Sequence, residues 1–434
     1  MKKVLIITYY WPPAGGGGVQ RWVKFVKYLH EFGWEPVVYT VAEGEYPVLD
    51  PSLEREIPRE VEVIRRPILE PFSLYKKLTG KKKEQRVQVG VMADAKKGNW
   101  KDRLALWIRS NIFIPDARML WIRPSVRFLK KYLKNNPVDV VITTGPPHSA
   151  HLIGMQLKEQ LQLPWVADFR DPWTKIYYFS DLWLTDWARR KHHHLERQVL
   201  RNADKVIVVG EGMARDFKND VQVESTVITN GFDTSDFGMA KKERNKVFTI
   251  VHTGTLLNVI NPVAFWKALE ESYEKGMIGN FEVHLFGRVE AGVSECIAGL
   301  SIAPFVKNMG YVSHEVITQQ QVNADLLLLS LEPNTPVLSG KFFEYLGSQS
   351  PILAIGNSKA NFEVKTIVEQ AGAGRFFENY EQEAIRHFIE QHYVNYTAGT
   401  AGKTVSDDLL RYSRKSLTAD LATVLHNITN GNHK

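Results

Sequence analysis

The chain is predicted to fold as two α/β domains in tandem, each built on a doubly wound parallel sheet. Continuously apolar segments of strand length alternate with helical segments, and this alternation starts afresh in the second half. A chain of 434 residues is also too long for one ordinary core. Buried parallel strands are apolar on both faces, so their sequences are continuously apolar. Strands alternating with helices are typical of a sheet that is covered by helices.

The first set of predicted strands lies in the N-terminal half. The opening run "KKVLIITYY" predicts a strand rather than a signal peptide, because tyrosines and prolines interrupt it and no cleavage site follows. Four glycines come next, and residues 22–29 then place apolar side chains at helical spacing until Gly33 ends the helix. The further strands are "EPVVYTV", "VEVIRRP", "DVVITTG", "LPWVADF" and "ADKVIVVG".

The second set follows a polar, unpatterned stretch, "DTSDFGMAKKERNK", which predicts a linker. Its strands are "KVFTIVHTG", "FEVHLFG", "APFVKNMGYV", "ADLLLLSL" and "SPILAIG". We therefore expect domains at 1–235 and 236–405, with a C-terminal helical segment at 406–434. Residues from about 70 to 135 do not continue the alternation of strands and helices of the first sheet, and they predict a basic, helical insertion.

Composition restricts the class of protein only loosely. The net charge of +7 suits an anionic partner such as a nucleotide or acidic lipid, although a mildly basic surface explains it equally well. The single cysteine, Cys296, excludes an internal disulfide and a cysteine cluster for zinc. No stretch of about 18 uncharged apolar residues predicts a spanning helix. A cytoplasmic protein is the simplest expectation.

The four glycines at 15–18 form the first candidate site. They join the first strand to a helix, whose N-terminal N–H groups and partial positive charge favour phosphate. The dinucleotide pattern G-x-G-x-x-G fails at Gln20, and no Walker loop is present. We expect Gly16, Gly17 and Gly18 to contact a phosphate or sugar; the alternative is a flexible turn at a tight junction.

Two further candidates follow strands of the first domain. In "TTGPPHSAH", His148 is expected to face the ligand, although a structural histidine is an equal alternative. In "VADFRDPW", the charged residues Asp168, Arg170 and Asp171 follow a buried run and need partners. Either a ligand or an internal salt bridge can supply those partners. The later "TNGFD" is read as a hinge turn.

The second domain has comparable positions at its strand ends. In "HTGTL", Gly254 between Thr253 and Thr255 would let a diphosphate approach backbone N–H groups; a plain turn is the alternative. In "LFGRV", Arg288 is placed to pair bidentately with phosphate, or it is a surface arginine.

The most specific segment is "NTPVLSGKFFEYLGSQSPILAIG". Ser339 or Gly340 opens a helix, and Lys341 and Glu344 are three residues apart, so they share one face near its N-terminus. A carboxylate there can accept the two hydroxyls of a ribose, and the lysine can neutralise phosphate. The alternative is an ordinary surface ion pair.

Taken together, these motifs resemble glycosyltransferase family 4, which has the GT-B fold of two Rossmann-like domains facing a cleft. The glycine loop, "RDPW", "TNGFD", "HTGTL", "FGR" and "SGKFFEYLGSQSPILA" occur in the family's order over essentially the whole chain. The stretch "IPDARMLW" resembles members that build bacterial surface polysaccharides.

The resemblance implies a retaining transfer of sugar from a UDP- or GDP-linked donor to a glycan or lipid-linked acceptor in polysaccharide biosynthesis. Glu344 would bind the ribose, and Lys341 and Arg288 the diphosphate. The glycine loop would close over the donor from the first domain, and the terminal helix would cross back to that domain. The expected catalytic residues are Arg288, Lys341, Asp168 and His148, and the expected acceptor-side residues are His148, Asp168, Arg170 and Asp171.

The sequence departs from the family pattern at two places. Many members carry a second glutamate eight residues before the ribose-binding one, where this chain has Pro336. Members often carry an arginine and a lysine after the first strand of the second domain, and "HTGTLLNVINP" has neither. Loop backbone around residues 335–338 would then contact the donor sugar. No DxD pair is present, since Asp168 and Asp171 are three apart, so we expect transfer without a metal or other cofactor.

A membrane contact is a further expectation, with peripheral binding to the inner face. The basic aromatic residues are Lys76, Lys77, Lys81, Lys82, Lys83, Trp100, Trp107 and Trp121, and "DLWLTDWARRKHHH" is a second candidate surface. Solvated helices with buried tryptophans are the alternative. For the whole chain, the alternatives are another nucleotide-sugar enzyme, such as an epimerase or phosphorylase, and a non-enzymatic membrane- or nucleic-acid-binding protein. We expect no nucleic-acid partner.

Overall fold

A computed structural model describes residues 1–69, 100–176, 179–180, 182–238, 243–333, 338–400 and 407–431. The chain divides into two compact units, one of Met1–Thr229 with Leu417–Lys434 and one of Asn230–Ser416. Residues 70–99, which include the basic run Lys76–Lys83 of the predicted insertion, lie outside the described residues. The side chain of Trp100 and residues 334–337 also lie outside them.

The first unit is built on a seven-stranded sheet with the order β3-β2-β1-β4-β5-β6-β7. Every neighbouring pair is parallel, with Val4 opposite both Pro36 and Val140 at the centre. The strands are β1 (Lys2–Ile7), β2 (Trp34–Val41), β3 (Glu62–Arg66), β4 (Val140–Gly145), β5 (Trp165–Phe169), β6 (Lys205–Val208) and β7 (Thr226–Val227).

Helices cover both faces of this sheet. The core on one face includes residues of α3, α4, α5 and α6, and the core on the other includes residues of α1 and α14. Leu421 and Leu425 of α14 are almost fully buried there. The helices are α1 (Gly17–Leu29), α2 (Trp100–Asn111), α3 (Met119–Asn135), α4 (Ser149–Leu161), α5 (Asp186–Asn202), α6 (Glu211–Val221) and, at the chain's end, α14 (Arg414–Gly431).

The second unit has a six-stranded parallel sheet with the order β10-β9-β8-β11-β12-β13. Its strands are β8 (Phe248–Thr253), β9 (Phe281–Phe286), β10 (Val306–Gly310), β11 (Leu326–Ser330), β12 (Ile352–Gly356) and β13 (Gly374–Glu378). Its helices are α7 (Thr234–Gly238), α8 (Val263–Glu274), α9 (Ala291–Ala298), α10 (His314–Asn323), α11 (Gly340–Ser348), α12 (Phe362–Gln370) and α13 (Gln382–Thr397). Apolar cores lie on both faces of this sheet as well.

The predicted pair of doubly wound parallel sheets is confirmed. Two edge strands were not predicted, β7 with two residues and β13 with the sequence "GRFFE". β7 is too short to show the continuous apolar run of a buried parallel strand, and β13 has only two apolar residues between Arg375 and Glu378. Among the described residues, no helix combines the length and apolarity needed to cross a membrane.

Candidate functional site

Strand order places a switch point in each sheet. Chain order runs outward in both directions from β1 and β4 in the first unit and from β8 and β11 in the second. In open α/β sheets, ligands bind beyond the carboxyl ends of the strands at such a point. The glycine loop follows β1, the "GPPH" segment follows β4, "HTG" ends β8, and the segment leading to Lys341 follows β11. The topology therefore brings the predicted segments of each unit to that unit's switch point.

The glycine loop exposes the N-terminus of α1. Gly16 is the residue before the helix and has φ 102, a left-handed value that favours glycine. A Cβ atom built on Gly16 or Gly17 would meet no atom within 4 Å. The first turn of α1 contains no acidic residue. The space beside Gly16 and Gly17 can consequently take an anionic ligand at this helix end, where the Val19 amide already donates to the Gly16 carbonyl oxygen at 3.0 Å.

Gly18 is glycine for a different reason. A Cβ atom there would lie 1.5 Å from Nη1 of Arg170, so the guanidinium group occupies the space beside the helix backbone. Arg170 also donates a hydrogen bond to the Pro146 carbonyl oxygen, which joins the loop after β5 to the loop after β4. Burial lowers the pKa of Arg170 and raises the pKa of the adjacent Asp171, while the two opposite charges favour each other's charged form.

Asp168 lies inside the first unit rather than at its surface. One carboxylate oxygen pairs with Arg21 at 3.1 Å. The other accepts hydrogen bonds from the Trp22 indole at 3.0 Å and the Thr144 hydroxyl at 2.8 Å. Because the residue is fully buried and both oxygens are engaged, this is the internal salt bridge that the sequence left open as the alternative. Asp168 positions α1 against β4 and β5, and the predicted contact with substrate has no support in this geometry.

His148 precedes the first turn of α4. It is 8% exposed and stacks on the Trp173 ring, with centroids 4.7 Å apart. Among the described residues its Nδ1 has no hydrogen-bond partner, and burial holds its pKa well below the usual range, so the imidazole is neutral. Asp116, from "IPDARMLW", accepts hydrogen bonds from the Ser149 amide and hydroxyl at 2.9 and 2.7 Å. This segment thus caps the helix that carries His148.

His151 is a neighbour that the sequence did not single out. It is fully buried, and its Nδ1 lies 2.8 Å from the Thr143 hydroxyl. Burial lowers its pKa to about 3. A Cβ atom on Gly145 would come within 2.5 Å of His151 Nε2 and 3.1 Å of His148 Nδ1. Glycine at the end of β4 is therefore required for the two rings to pack against the backbone.

In the second unit, two glycine turns pack against each other. Gly254 has φ 97 and Gly287 has φ 113. A Cβ atom on Gly287 would lie 2.6 Å from the Gly254 carbonyl oxygen. Thr253 is buried, and its amide donates to the Tyr345 hydroxyl at 2.8 Å, whereas Thr255 is exposed. Tyr345, beside Glu344 in the sequence, was not predicted as part of this region.

Lys341 lies over the first of these turns. A Cβ atom on Gly254 would be 3.5 Å from Lys341 Cδ and 3.8 Å from its Nζ. Among the described residues, the ammonium group forms neither a hydrogen bond nor an ion pair. Burial lowers the pKa of Lys341 to about 8, and Glu344 partly opposes that shift. Below the β8 end, His252 is fully buried with an unpartnered Nε2, and burial beside this cation lowers its pKa to about 3.

Ser339 caps α11, and Glu344 lies one turn beyond the start of that helix. The Ser339 hydroxyl accepts a hydrogen bond from the Phe342 amide at 3.4 Å, so Ser339 caps the helix and Gly340, one of the two predicted starts, opens it. Glu344 is half-buried one turn later and accepts a 3.4 Å hydrogen bond from Gln321. Within the described part of the chain, Glu344 and Lys341 form no ion pair, so the surface ion pair considered as an alternative is absent.

Arg288 directly follows Gly287 and is exposed. Its carbonyl oxygen accepts a hydrogen bond from the Leu256 amide at 2.8 Å, which joins the turns after β8 and β9. Its role toward phosphate remains a prediction, as do the ligand roles of the other site residues. Of the predicted donor-sugar contact at 335–338, residues 335–337 lie outside the described residues, and the Leu338 side chain is buried.

Comparison with known proteins supports the family resemblance. Residues 78–236 match the family described as Glycosyltransferase Family 4. The predicted likeness to that family is confirmed. No curated protein matches the sequence.

Solved structures confirm the GT-B fold. The sucrose-phosphate synthase of Thermosynechococcus elongatus is 13% identical with a TM-score of 0.62, covering 99% of this chain and 100% of that one. A glycosyltransferase of Rickettsia africae is 14% identical with a TM-score of 0.60, over 98% of both chains. S. aureus TarM, in complex with UDP and other ligands, is 13% identical with a TM-score of 0.60, over 99% of this chain and 100% of that one.

Proposed function

We propose that the protein is a retaining glycosyltransferase that moves a sugar from a nucleotide sugar to a glycan or lipid-linked acceptor. The match to glycosyltransferase family 4 and the GT-B fold support transferase chemistry. The retaining outcome and a role in surface-polysaccharide synthesis are extensions from the family resemblance. The observation that carries the proposal is the unpaired Lys341 ammonium at the second unit's switch point.

The start of α11 suits a nucleoside diphosphate. Lys341 lies against Gly254, where glycine leaves the backbone accessible, and a helix N-terminus adds partial positive charge. A diphosphate bound there would supply a countercharge and so compensate the Lys341 ammonium for the hydration that it loses on burial. Glu344, one turn along the same helix face, offers a free oxygen for the ribose hydroxyls.

Transfer requires that charge on the departing diphosphate be stabilised. Lys341 supplies a fixed positive charge, and Arg288 is the neighbouring cation on the turn after β9. These two groups provide charge stabilisation from the protein itself, and so we propose that no metal is needed. Chelation with EDTA should leave turnover unchanged; loss of turnover with recovery on adding magnesium would overturn this part.

The first unit is proposed to bind the sugar and acceptor. The open N-terminus of α1 and the neutral His148 lie at its switch point, with Arg170 beside Gly18. A neutral imidazole can donate or accept a hydrogen bond to a sugar hydroxyl without adding charge. Asp168 supports this edge from within the core and is not assigned a chemical step.

The test is a thermal-shift screen of UDP-, GDP- and ADP-sugars, because a true ligand stabilises the folded state by mass action. One nucleotide class should raise Tm, and Glu344→Ala should abolish that shift. Absence of any shift with the parent protein would reject the nucleotide-sugar assignment. NMR of the product anomer then tests retention, and free epimerised sugar without acceptor would favour an epimerase.

A further inference from the structure

The outer helices of the first unit carry cations that the proposed chemistry does not use. α5 buries Leu195 and Val199 and turns another face to solvent. The exposed positions on that face are Trp187, Arg190, Lys191, His194, Arg197 and Arg201. Their spacing of three or four residues places them on one helical stripe. In the described part of the chain, none of these side chains forms an ion pair.

α3 repeats this arrangement. Its sequence contains no acidic residue, and its exposed cations are Arg123, Arg127, Lys131 and Lys134. Leu120 is 44% exposed in its first turn. α5 has two acidic residues, of which Glu196 is buried and Asp186 is exposed at the first turn. Two helices thus each present a basic stripe that begins beside a large apolar side chain.

These stripes lie on one side of the sheet. α3, α4 and α5 contribute to the same core. Helices that connect parallel strands run opposite to those strands, so the first turns of α3 and α5 lie at the carboxyl edge. Leu120 and Trp187, the latter 60% exposed, therefore lie toward that edge.

A hydrogen-bonded junction joins the segment that contains Ile112 to the segment that precedes Trp187. The Asn111 side chain donates to the Trp183 carbonyl at 2.7 Å and accepts from the Thr185 amide at 2.7 Å. This buried amide joins the end of α2 to the loop that begins α5. Ile112 follows it directly and is 55% exposed. Ile112 and Trp187, which is 60% exposed, are thus the exposed apolar side chains of the two segments that meet at this junction.

We propose that this face, consisting of the outer stripes of α3 and α5 with Leu120, Ile112 and Trp187, docks on an anionic lipid bilayer. Exposed indoles favour the interface, aliphatic side chains favour the acyl region, and unpaired cations favour anionic headgroups. Aliphatic residues at the head of the stripes gain little from a nucleic-acid backbone, which favours the bilayer as the occupant. Docking through this face would place the first unit, with its candidate site, at the lipid surface.

A lipid-linked acceptor would explain this placement, and that link rests on the proposed function. The docking itself is tested without donor or acceptor. Failure to dock would therefore leave the transferase proposal standing, while failure of the nucleotide-sugar screen would leave the docking surface standing.

The experiment measures sedimentation of the full-length protein with vesicles of phosphatidylcholine alone or mixed with phosphatidylglycerol. We expect binding to the anionic vesicles that weakens as salt is raised. The double variant Arg190→Gln/Lys191→Gln should lower the partition coefficient at low salt by roughly fivefold for each positive charge removed. Trp187→Ser should weaken the binding that remains at high salt.

The matched control is Arg55→Gln/Arg59→Gln. Both arginines are exposed, and Leu53 beside them packs into the core on the opposite face of the sheet. This variant should bind like the parent protein. If both double variants lost vesicle binding equally, the effect would come from net charge alone, and the assigned face would be rejected. Absence of vesicle binding, or salt-sensitive binding to DNA in its place, would overturn the proposal.

Discussion

Charged residues follow the strands of both sheets, but the two units use them differently. In the first unit, Asp168 is fully buried and bonded to Arg21, Trp22 and Thr144. In the second unit, Lys341 lies in the first turn of α11, beside the turn that ends β8, with no ion pair in the described part of the chain. A buried charge with internal partners stabilises a loop, whereas one without them is free to bind a ligand. Position at a strand end alone does not distinguish the two.

Removing the buried partner gives the largest expected effect. Asp168→Ala should lower the free energy of unfolding by about 3–5 kcal/mol, because Arg21 would remain buried without its countercharge. Denaturant unfolding measures this. The matched control is Asp216→Ala, which breaks an exposed ion pair with Lys175 and should cost under about 1 kcal/mol. Similar losses in both variants would remove the distinction between the two units.

Removing the Lys341 ammonium should lower activity and leave stability unchanged. Lys341→Met should reduce kcat/KM by about 10²–10³, the range for loss of one group that stabilises developing charge. Its stability should not fall, because in the described part of the chain the ammonium has no hydrogen bond or ion pair to lose. Initial rates and unfolding curves are measured together.

The control for Lys341 is Lys365→Met, which removes an exposed lysine from α12 of the same unit. It should leave both quantities unchanged. A destabilised Lys341→Met protein with normal turnover would assign the lysine to the fold, as Asp168 is assigned in the first unit.

The pH dependence of donor binding tests whether the Lys341 ammonium binds the donor. Burial lowers the pKa of Lys341 to about 8, so its positive charge is complete below that pH and is lost above it. Donor affinity should therefore fall above pH 8, by at most about tenfold per unit. Calorimetric titration of the identified nucleotide sugar checks this. Lys341→Arg should bind with a flat profile over the same range, and an unchanged slope in that variant would assign the titration to another group.

The sequence predicted the strands and loops better than the ion-pair and hydrogen-bond partners of the site residues. Continuous apolar runs located all strands but the edge strands β7 and β13, and glycines with the "SGKFFEYL" segment located the switch-point loops. The Asp168–Arg21 pair could not be predicted, because 147 residues separate the partners and only the sheet brings them together. Tyr345 was missed for the same reason, since its hydroxyl binds the Thr253 amide at the end of β8. No local pattern indicates which charge has found a partner.

The smallest expected effect concerns the open end of α1. A Cβ atom on Gly17 meets nothing within 4 Å, so Gly17→Leu should change the free energy of unfolding by no more than about 0.5–1 kcal/mol. If the helix N-terminus approaches the sugar or acceptor, this side chain should still lower kcat/KM by roughly tenfold, since displacement of the reacting groups is costly. Donor affinity, measured by calorimetry, should change less, because the nucleotide is assigned to the second unit. Normal transfer by Gly17→Leu would show that the open glycines serve only the backbone turn. The proposal that the first unit binds the sugar and acceptor would then lose the support of this helix end.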